Sequence, residues 1–220
     1  MSSIRKTSEQ TTIRPLATGE CSIVGEVIAD SHTNYPAFTH LFPNQEQRSR
    51  VLQRLMTGVA RDAQLFGEIY AQSEGSACSA RRCGCLPAGS HGPTWRKLKA
   101  GAIFLPLLWH TRPSTSRFFA LGANAEKAAP AEPHWNLQVL GIRREAQGQG
   151  LGSRLLQPAL PRADQDGIPC YLETADPANL DFYQRFGFEL DRQHQLVPHG
   201  PPHYSMRRPP QAKSRSQGEG

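Results

Sequence analysis

The sequence contains no apolar run long enough to cross a bilayer: the longest, AGAIFLPLLW (Ala100 to Trp109), falls far short of the roughly 20 residues a membrane helix needs. The amino-terminal MSSIRKTSEQTTIRP also lacks the apolar segment of an export signal. A soluble, cytoplasmic protein with no membrane partner is expected. Cysteine is sparse, with five residues, and without an export signal these are expected as reduced thiols. Cys78, Cys83, Cys85 and His91 follow the spacing C-x4-C-x-C-x5-H, which matches no established zinc pattern, so no metal is expected. Acidic residues are missing from Ala77 to Lys99, which holds Arg81, Arg82, Arg96, Lys97 and Lys99. They are nearly missing after Met206, where Arg207, Arg208, Lys213 and Arg215 face only Glu219. These two pieces carry roughly +5 and +3 of the formal charge of +6, leaving about −2 elsewhere. A dispersed basic face with stacking aromatics is absent, which argues against a nucleic-acid partner.

What is present suffices for one core. A chain of 220 residues that is 38% hydrophobic has the size of a single domain. We expect a disordered amino terminus over 1–10, one domain over 11–208 interrupted by an irregular insertion over 73–99, and a disordered tail over 209–220. TTIRPLAT (Thr11 to Thr18) reads as a first strand, and Ile23, Val27 and Ile28 fall on one stripe of a helix behind it. NYPAFTHLFPN (Asn34 to Asn44) reads as a proline-bounded loop with Tyr35 and Phe38 packed beneath the helices or lining a pocket. Val51, Leu52, Leu55, Val59 and Leu65 then mark a second amphipathic helix from Gln45. LFGEIYAQ and AGAIFLPLLW read as strands, Phe118 to Ala128 as a helix, and HWNLQVLGI (His134 to Ile142) as a strand buried on both faces. GIPCYLETA (Gly167 to Ala175) gives the next strand and PANLDFYQRF (Pro177 to Phe186) the next helix, so the carboxyl half is β-loop-α-β-α around a parallel pair. GFELD and HYSMRRP supply final strands.

The most informative stretch is REAQGQGLGSRLLQ, with Gly148, Gly150 and Gly152 at alternate positions between a buried strand and a helix. Such a turn aims free backbone N–H groups and the positive end of a helix dipole at one point, an arrangement suited to a pyrophosphate. Glycine at Gly150 and Gly152 in particular would let phosphate oxygens reach the amides. No Gly-Lys-Ser/Thr follows, so this is not a P-loop, and the preceding strand lies too late in the chain for a good Rossmann fingerprint. On composition alone a ligand-free glycine turn remains an equal reading.

GIRREAQGQGLGSRLL resembles the acetyl-CoA signature of the GNAT superfamily of N-acetyltransferases, Gln/Arg-x-x-Gly-x-Gly/Ala after a hydrophobic strand, with Gln147, Gly150 and Gly152 at its fixed positions. NLDFYQRFGFEL is similar to the superfamily's second signature. The pair, together with HWNLQVLGI and GIPCYLETADPANLDFYQRFGF, resembles the branch that includes puromycin N-acetyltransferase, well over 133–190 and loosely over 12–70. The resemblance implies an α/β fold of GNAT type, a mixed central sheet with a splayed parallel strand pair flanked by helices.

It also implies a mechanism. Acetyl-CoA would lie between the splayed strands, with backbone groups of Leu140, Gly141 and Ile142 on its pantetheine arm and Gln147, Gly148, Gln149, Gly150, Leu151, Gly152 and Ser153 around its pyrophosphate. Glu173 is the candidate base for the amine, or a structural carboxylate. Tyr183 is the candidate acid for the departing thiolate, and Asn179, at i−4, would contact the cofactor or cap the helix. Arg143 and Arg144 would supply charge to the phosphates or face solvent. Trp135 is expected to be structural and His134 to sit at a strand edge. Pro161 is expected to end the post-loop helix early. The implied activity moves acetyl from acetyl-CoA to a small-molecule primary amine, in a monomer or homodimer. Acetylation of a protein amino terminus or lysine, and a non-catalytic acyl-CoA-binding module, are the rival readings.

Overall fold

The structure, a computed structural model, describes residues 13–17, 19–66, 68–72, 76–83 and 112–211. In chain order these form β1 (Ile13–Pro15), α1 (Cys21–Ser31), α2 (Pro36–Leu41), α3 (Gln45–Phe66), β2 (Glu68–Gln72), β3 (Ser76–Cys83) and α4 (Arg112–Ala128). There follow β4 (His134–Ile142), α5 (Leu151–Leu156), α6 (Ala159–Asp166), β5 (Cys170–Thr174), α7 (Leu180–Gln184), β6 (Glu189–His194) and β7 (His203–Arg208). The strands make one mixed sheet in the order β1-β2-β3-β4-β5-β7-β6, in which only β4 and β5 run parallel.

Two hydrophobic clusters sandwich the sheet. Ile69 belongs to one and its neighbour Tyr70 to the other, as the period-2 alternation of a strand requires. The first cluster gathers α1, α2 and α3 around Val27, Ile28, Leu41, Leu52 and Leu55. Gly25 sets how closely α1 crosses α3, because a Cβ there would sit 2.1 Å from Thr57 Oγ1 and 2.5 Å from the Gln53 carbonyl. The second cluster packs Leu155 and Leu156 of α5 against Leu137, Leu172 and Met206 of the sheet.

Several elements differ from the sequence reading. The buried stripe of α1 runs through Val24, Val27 and Ile28, leaving Ile23 half exposed, and Leu65 likewise faces out from α3. Asn34 to Asn44 is not a plain loop: Pro36 occupies the first turn of α2, where its missing N–H has no helical partner to lose. β3 arises within the stretch expected as an insertion. Its sequence, SACSARRC, consists of small, polar and basic residues with no apolar alternation, and its place is defined by backbone pairing to β2 and β4. The strand expected at 100–109, Cys85 and His91 lie outside the described residues. Pro158 interrupts the helix after the glycine loop, whereas Pro161 falls in the first turn of α6 and does not end it. Past Arg208 the chain stays attached: the Gln211 N–H donates to Asp164 Oδ1 at 2.8 Å.

Candidate active site

β4 and β5 pair through Trp135↔Cys170, Asn136↔Tyr171 and Leu137↔Leu172, and their ladder ends there. β4 continues beside β3 as far as Ile142, opposite Ser76, while β5 continues beside β7 as far as Thr174, opposite Tyr204. The two strands therefore part beyond Leu137 and Leu172. At that point β4 bulges: Ser79 faces Val139 and Ala80 faces Leu137, so Gln138 has no counterpart. A bulge bends its strand and re-aims the side chain it carries, and here it sits where the strands separate.

The glycine loop closes the mouth of the splay. Gly148 and Gly150 have φ of +76° and +75°, a left-handed conformation that side chains rarely adopt, and the space beside their Cα atoms is open. Gly150 is the N-cap of α5 with no side-chain cap, which leaves the first-turn amides of that helix for another acceptor. Gly152 has a different cause: a Cβ would sit 3.2 Å from the Phe182 ring. Glycine is thus dictated at Gly150 by backbone conformation and at Gly152 by packing against α7, before any phosphate is considered. Gln147 turns its side chain inward, with Nε2 donating to the Ile142 carbonyl at 3.1 Å.

One cavity of about 990 Å³ runs from this loop through the splay to the ends of α1 and α2. Leu140, Gly141, Ile142, Gln147, Gly148, Gly150, Leu151, Gly152, Ser153, Glu173, Asn179 and Tyr183 all line it. Gln149 does not; its Nε2 points back toward the Glu145 carbonyl at 3.5 Å.

Glu173 reaches the cavity from β5, with both carboxylate oxygens engaged. The Tyr171 hydroxyl donates to Oε1 and His194 Nε2 lies 3.1 Å from Oε2. Tyr171 and Glu173 share a sheet face as i and i+2, and burial together with this bond holds the Tyr171 phenol well above its usual range. His194 pairs across the strands with His203, whose imidazole burial pushes down to about 4. The arrangement is a carboxylate anchored by a phenol and backed by an imidazole.

Tyr183 projects from α7 between Phe182 and Phe188, ring centroids 5.0 Å and 5.9 Å away. Asn179 makes no side-chain cap to α7; its Nδ2 donates to Thr174 Oγ1 at 3.1 Å. Thr174 also accepts from the Tyr35 hydroxyl at 3.3 Å, so Asn179 and Tyr35 both brace the end of β5. Trp135 is buried and donates from Nε1 to Asp166 at 2.8 Å. His134 is not at a strand edge but buried against the Tyr171 ring.

The arginines ahead of the loop are solvent-exposed to different degrees, Arg144 the more, and both reach acidic groups of α1. Arg144 Nε lies 3.2 Å from Asp30 Oδ1, its backbone N–H donates to Asp30 Oδ2 at 2.9 Å, and Arg143 lies 3.9 Å from Glu26. Both tie the loop to α1. A cation that sequence reasoning missed, Arg185, lines the cavity with its guanidinium 5.6 Å from the Phe182 centroid. Also missed were His32 and Gln138 of the cavity wall and His194 behind Glu173, whereas Tyr35 and Phe38 line the cavity as one of their two readings had it. His194 sits in a polar, mostly exposed strand, and Gln138 depends on a bulge, so neither had a periodic signal. Among the described residues no cluster has the geometry to hold a metal ion, and no helix is long and apolar enough to cross a membrane.

A mixed sheet flanked by helices, with its one parallel pair splayed ahead of a glycine loop, is the GNAT acetyltransferase fold. Residues 110–188 match the acetyltransferase (GNAT) family model. An uncharacterized N-acetyltransferase of Schizosaccharomyces pombe is 36% identical over 70 residues, covering 29% of this chain and 28% of its own length. The chain thus spans well under a third of that curated relative. Among solved structures, a histone acetyltransferase HPA2-related acetyltransferase from Corynebacterium glutamicum superposes with a TM-score of 0.61 at 20% identity, over 92% of this chain and 98% of its own. Arylalkylamine N-acetyltransferase 2 from Aedes aegypti gives 0.58 at 9% identity, over 91% and 99%. PaiA N-acetyltransferase from Thermoplasma acidophilum, solved with coenzyme A, gives 0.50 at 13% identity, over 90% and 98%.

Proposed function

We propose that this protein is an N-acetyltransferase that moves acetyl from acetyl-CoA to a primary amine of a small molecule, by direct attack within a ternary complex. The observation that carries this reading is the splay of β4 from β5 with an uncapped glycine turn at its mouth. The cavity fits the co-substrate: the edge of β4 beyond Leu137 is released from β5, and the left-handed turn at Gly148 and Gly150 presents amides without side chains. Backbone groups of Leu140, Gly141 and Ile142 would bind the pantetheine arm. The segment from Gln147 to Ser153 would bind the pyrophosphate through its amides, with Arg185 as the nearby cation.

When bound, acetyl-CoA supplies the acetyl group as an activated thioester. An amine must present a lone pair, so Glu173 would take the proton lost as nitrogen bonds to the acetyl carbon. Tyr171 and His194 hold the carboxylate in place for this. As the carbon–sulfur bond breaks, the Tyr183 hydroxyl would protonate the leaving sulfur. The sequence likeness to the puromycin N-acetyltransferase branch favours a small xenobiotic acceptor, and we place the enzyme in the cytoplasm. The test is an amine screen that begins with puromycin and follows release of the CoA thiol. Acetylation of at least one small primary amine is the expected result; turnover of peptide amines alone would contradict the acceptor class.

A further inference from the structure

Charge in the cavity wall is divided between two places. Among the described residues it is carried by Arg185 beside the glycine loop and by Glu173 and Asp176 at the end of β5. Arg185 stacks on the Phe182 ring, which lies 3.2 Å from where a Cβ on Gly152 would stand, and this sets the cation next to the loop. At the end of β5 the Tyr35 hydroxyl accepts from the Ala175 N–H and donates to Thr174 Oγ1 at 3.3 Å. The connection between α1 and α2 is thereby docked on the turn that carries Asp176. Asp176 Oδ1 accepts from the Ala178 N–H at 3.0 Å, and no cation pairs with this carboxylate among the described residues. The wall next to it is aromatic. The rings of His32, Tyr35 and Phe38 line the cavity with centroids 5.1 to 6.0 Å apart. Burial pushes the His32 imidazole down to about 4, so it is neutral near pH 7 and brings no positive charge to this end.

We propose that this end of the cavity takes the acceptor as an aromatic amine that carries no carboxylate, with the rings of Tyr35 and Phe38 against its apolar body and Asp176 setting the charge it can bring. This inference rests on the acetyltransferase reading and names the acceptor's class. An amine in water is mostly an ammonium, which two carboxylates attract and no cation opposes. A free amino acid brings a carboxylate of its own, and two like charges without a cation between them reject it. A polyamine is disfavoured for a different reason, because each further ammonium would lose water against aromatic rings. The arriving ammonium sheds one proton to water before attack. The neutral amine so formed gives its next proton to Glu173, and Asp176 exchanges none.

Tyrosinamide, tyramine and tyrosine present one ring with an amide, a hydrogen or a carboxylate beside the amine. The test follows release of the CoA thiol with each of them, and with spermidine, on the full-length protein and on Asp176→Asn. Asparagine keeps an Oδ1 acceptor for the Ala178 N–H and removes only the charge, so the thermal midpoint should not move. Wild type is expected to favour tyrosinamide over tyrosine by about 100-fold or more in kcat/KM, and tyramine over spermidine by about 10-fold or more. Asp176→Asn should narrow the first ratio by about 10-fold, through the KM of the amines, with Glu173 retaining the remainder. Equal turnover of tyrosine and tyrosinamide by wild type, or the same ratio in Asp176→Asn as in wild type, overturns the proposal. Turnover of spermidine but of neither tyramine nor tyrosinamide also overturns it and leaves the acetyltransferase reading standing, whereas a folded sample that acetylates no amine in the wider screen overturns both.

Discussion

Glu173 of β5 lies 3.1 Å from His194 of β6, Oε2 to Nε2, although 20 residues separate them in the chain. The contact is mostly shielded, the two side chains being 12% and 18% exposed, and the Tyr171 hydroxyl holds the other carboxylate oxygen. This gives Glu173 one orientation, toward the cavity. Glu173→Gln is expected to lower kcat by about 10²-fold or more with little effect on acetyl-CoA binding, as removal of a general base does. His194→Gln should lower it less. Steady-state kinetics with calorimetry measures both, and a Glu173→Gln enzyme of undiminished kcat would reduce Glu173 to a structural carboxylate.

Tyr183→Phe removes one hydroxyl and leaves the rings of Phe182 and Phe188 their partner. Turnover should fall about 10-fold or more with acetyl-CoA affinity nearly unchanged. Equal turnover would take Tyr183 out of the chemistry.

Gly150 is the N-cap of α5 in a left-handed conformation, at φ +75°. Gly150→Ala should lower stability by about 1–2 kcal/mol through backbone strain alone. Gly150→Glu adds bulk and negative charge where a pyrophosphate is expected, so it should abolish acetyl-CoA binding while the circular dichroism spectrum stays that of the folded protein. Retained affinity in Gly150→Glu would separate the loop from the phosphates.

Arg208 and Asp164 form a mostly shielded ion pair, at 2.7 Å and 2.9 Å, that joins β7 to α6. Arg208 also donates to the Phe186 carbonyl at 2.9 Å, fastening the turn after α7. Asp164→Ala leaves a buried guanidinium without its anion and should cost about 2–3 kcal/mol. The Arg208 bond holds the Asp164 carboxyl below its usual range. A depressed folded pKa gives stability that is present above the unfolded value, near 4, and is lost as pH falls through the folded value. Denaturation followed from pH 7 to pH 3 should therefore show less acid loss in Arg208→Met than in wild type; parallel profiles would discount the pair.

The sequence made the splayed strands and the glycine loop legible and the far end of the cavity opaque, for physical reasons. HWNLQVLGI and GIPCYLETA are apolar enough to require burial on both faces, and the glycines between them admit few backbone paths, so β4, the loop and β5 followed directly. β3 was hidden because a strand between two others can be built from Ser, Ala, Cys and Arg when backbone pairing defines it. α2 was hidden because Pro36 begins a helix as readily as it borders a loop. The placing of Gln138 in the cavity wall rests on a one-residue bulge, which leaves no pattern along the chain. The partners of Arg143 and Arg144 on α1 are distant in sequence, so nothing along the chain announced them.

The account depends most on the splay and its loop being a coenzyme A site. Calorimetric titration of the purified protein with acetyl-CoA, alongside desulfo-CoA, tests that directly. Micromolar binding of both ligands is the expected result, since the loop would hold the pyrophosphate whether or not the thioester is present. A folded sample that binds neither would contradict the reading of the loop and, with it, the acetyltransferase assignment.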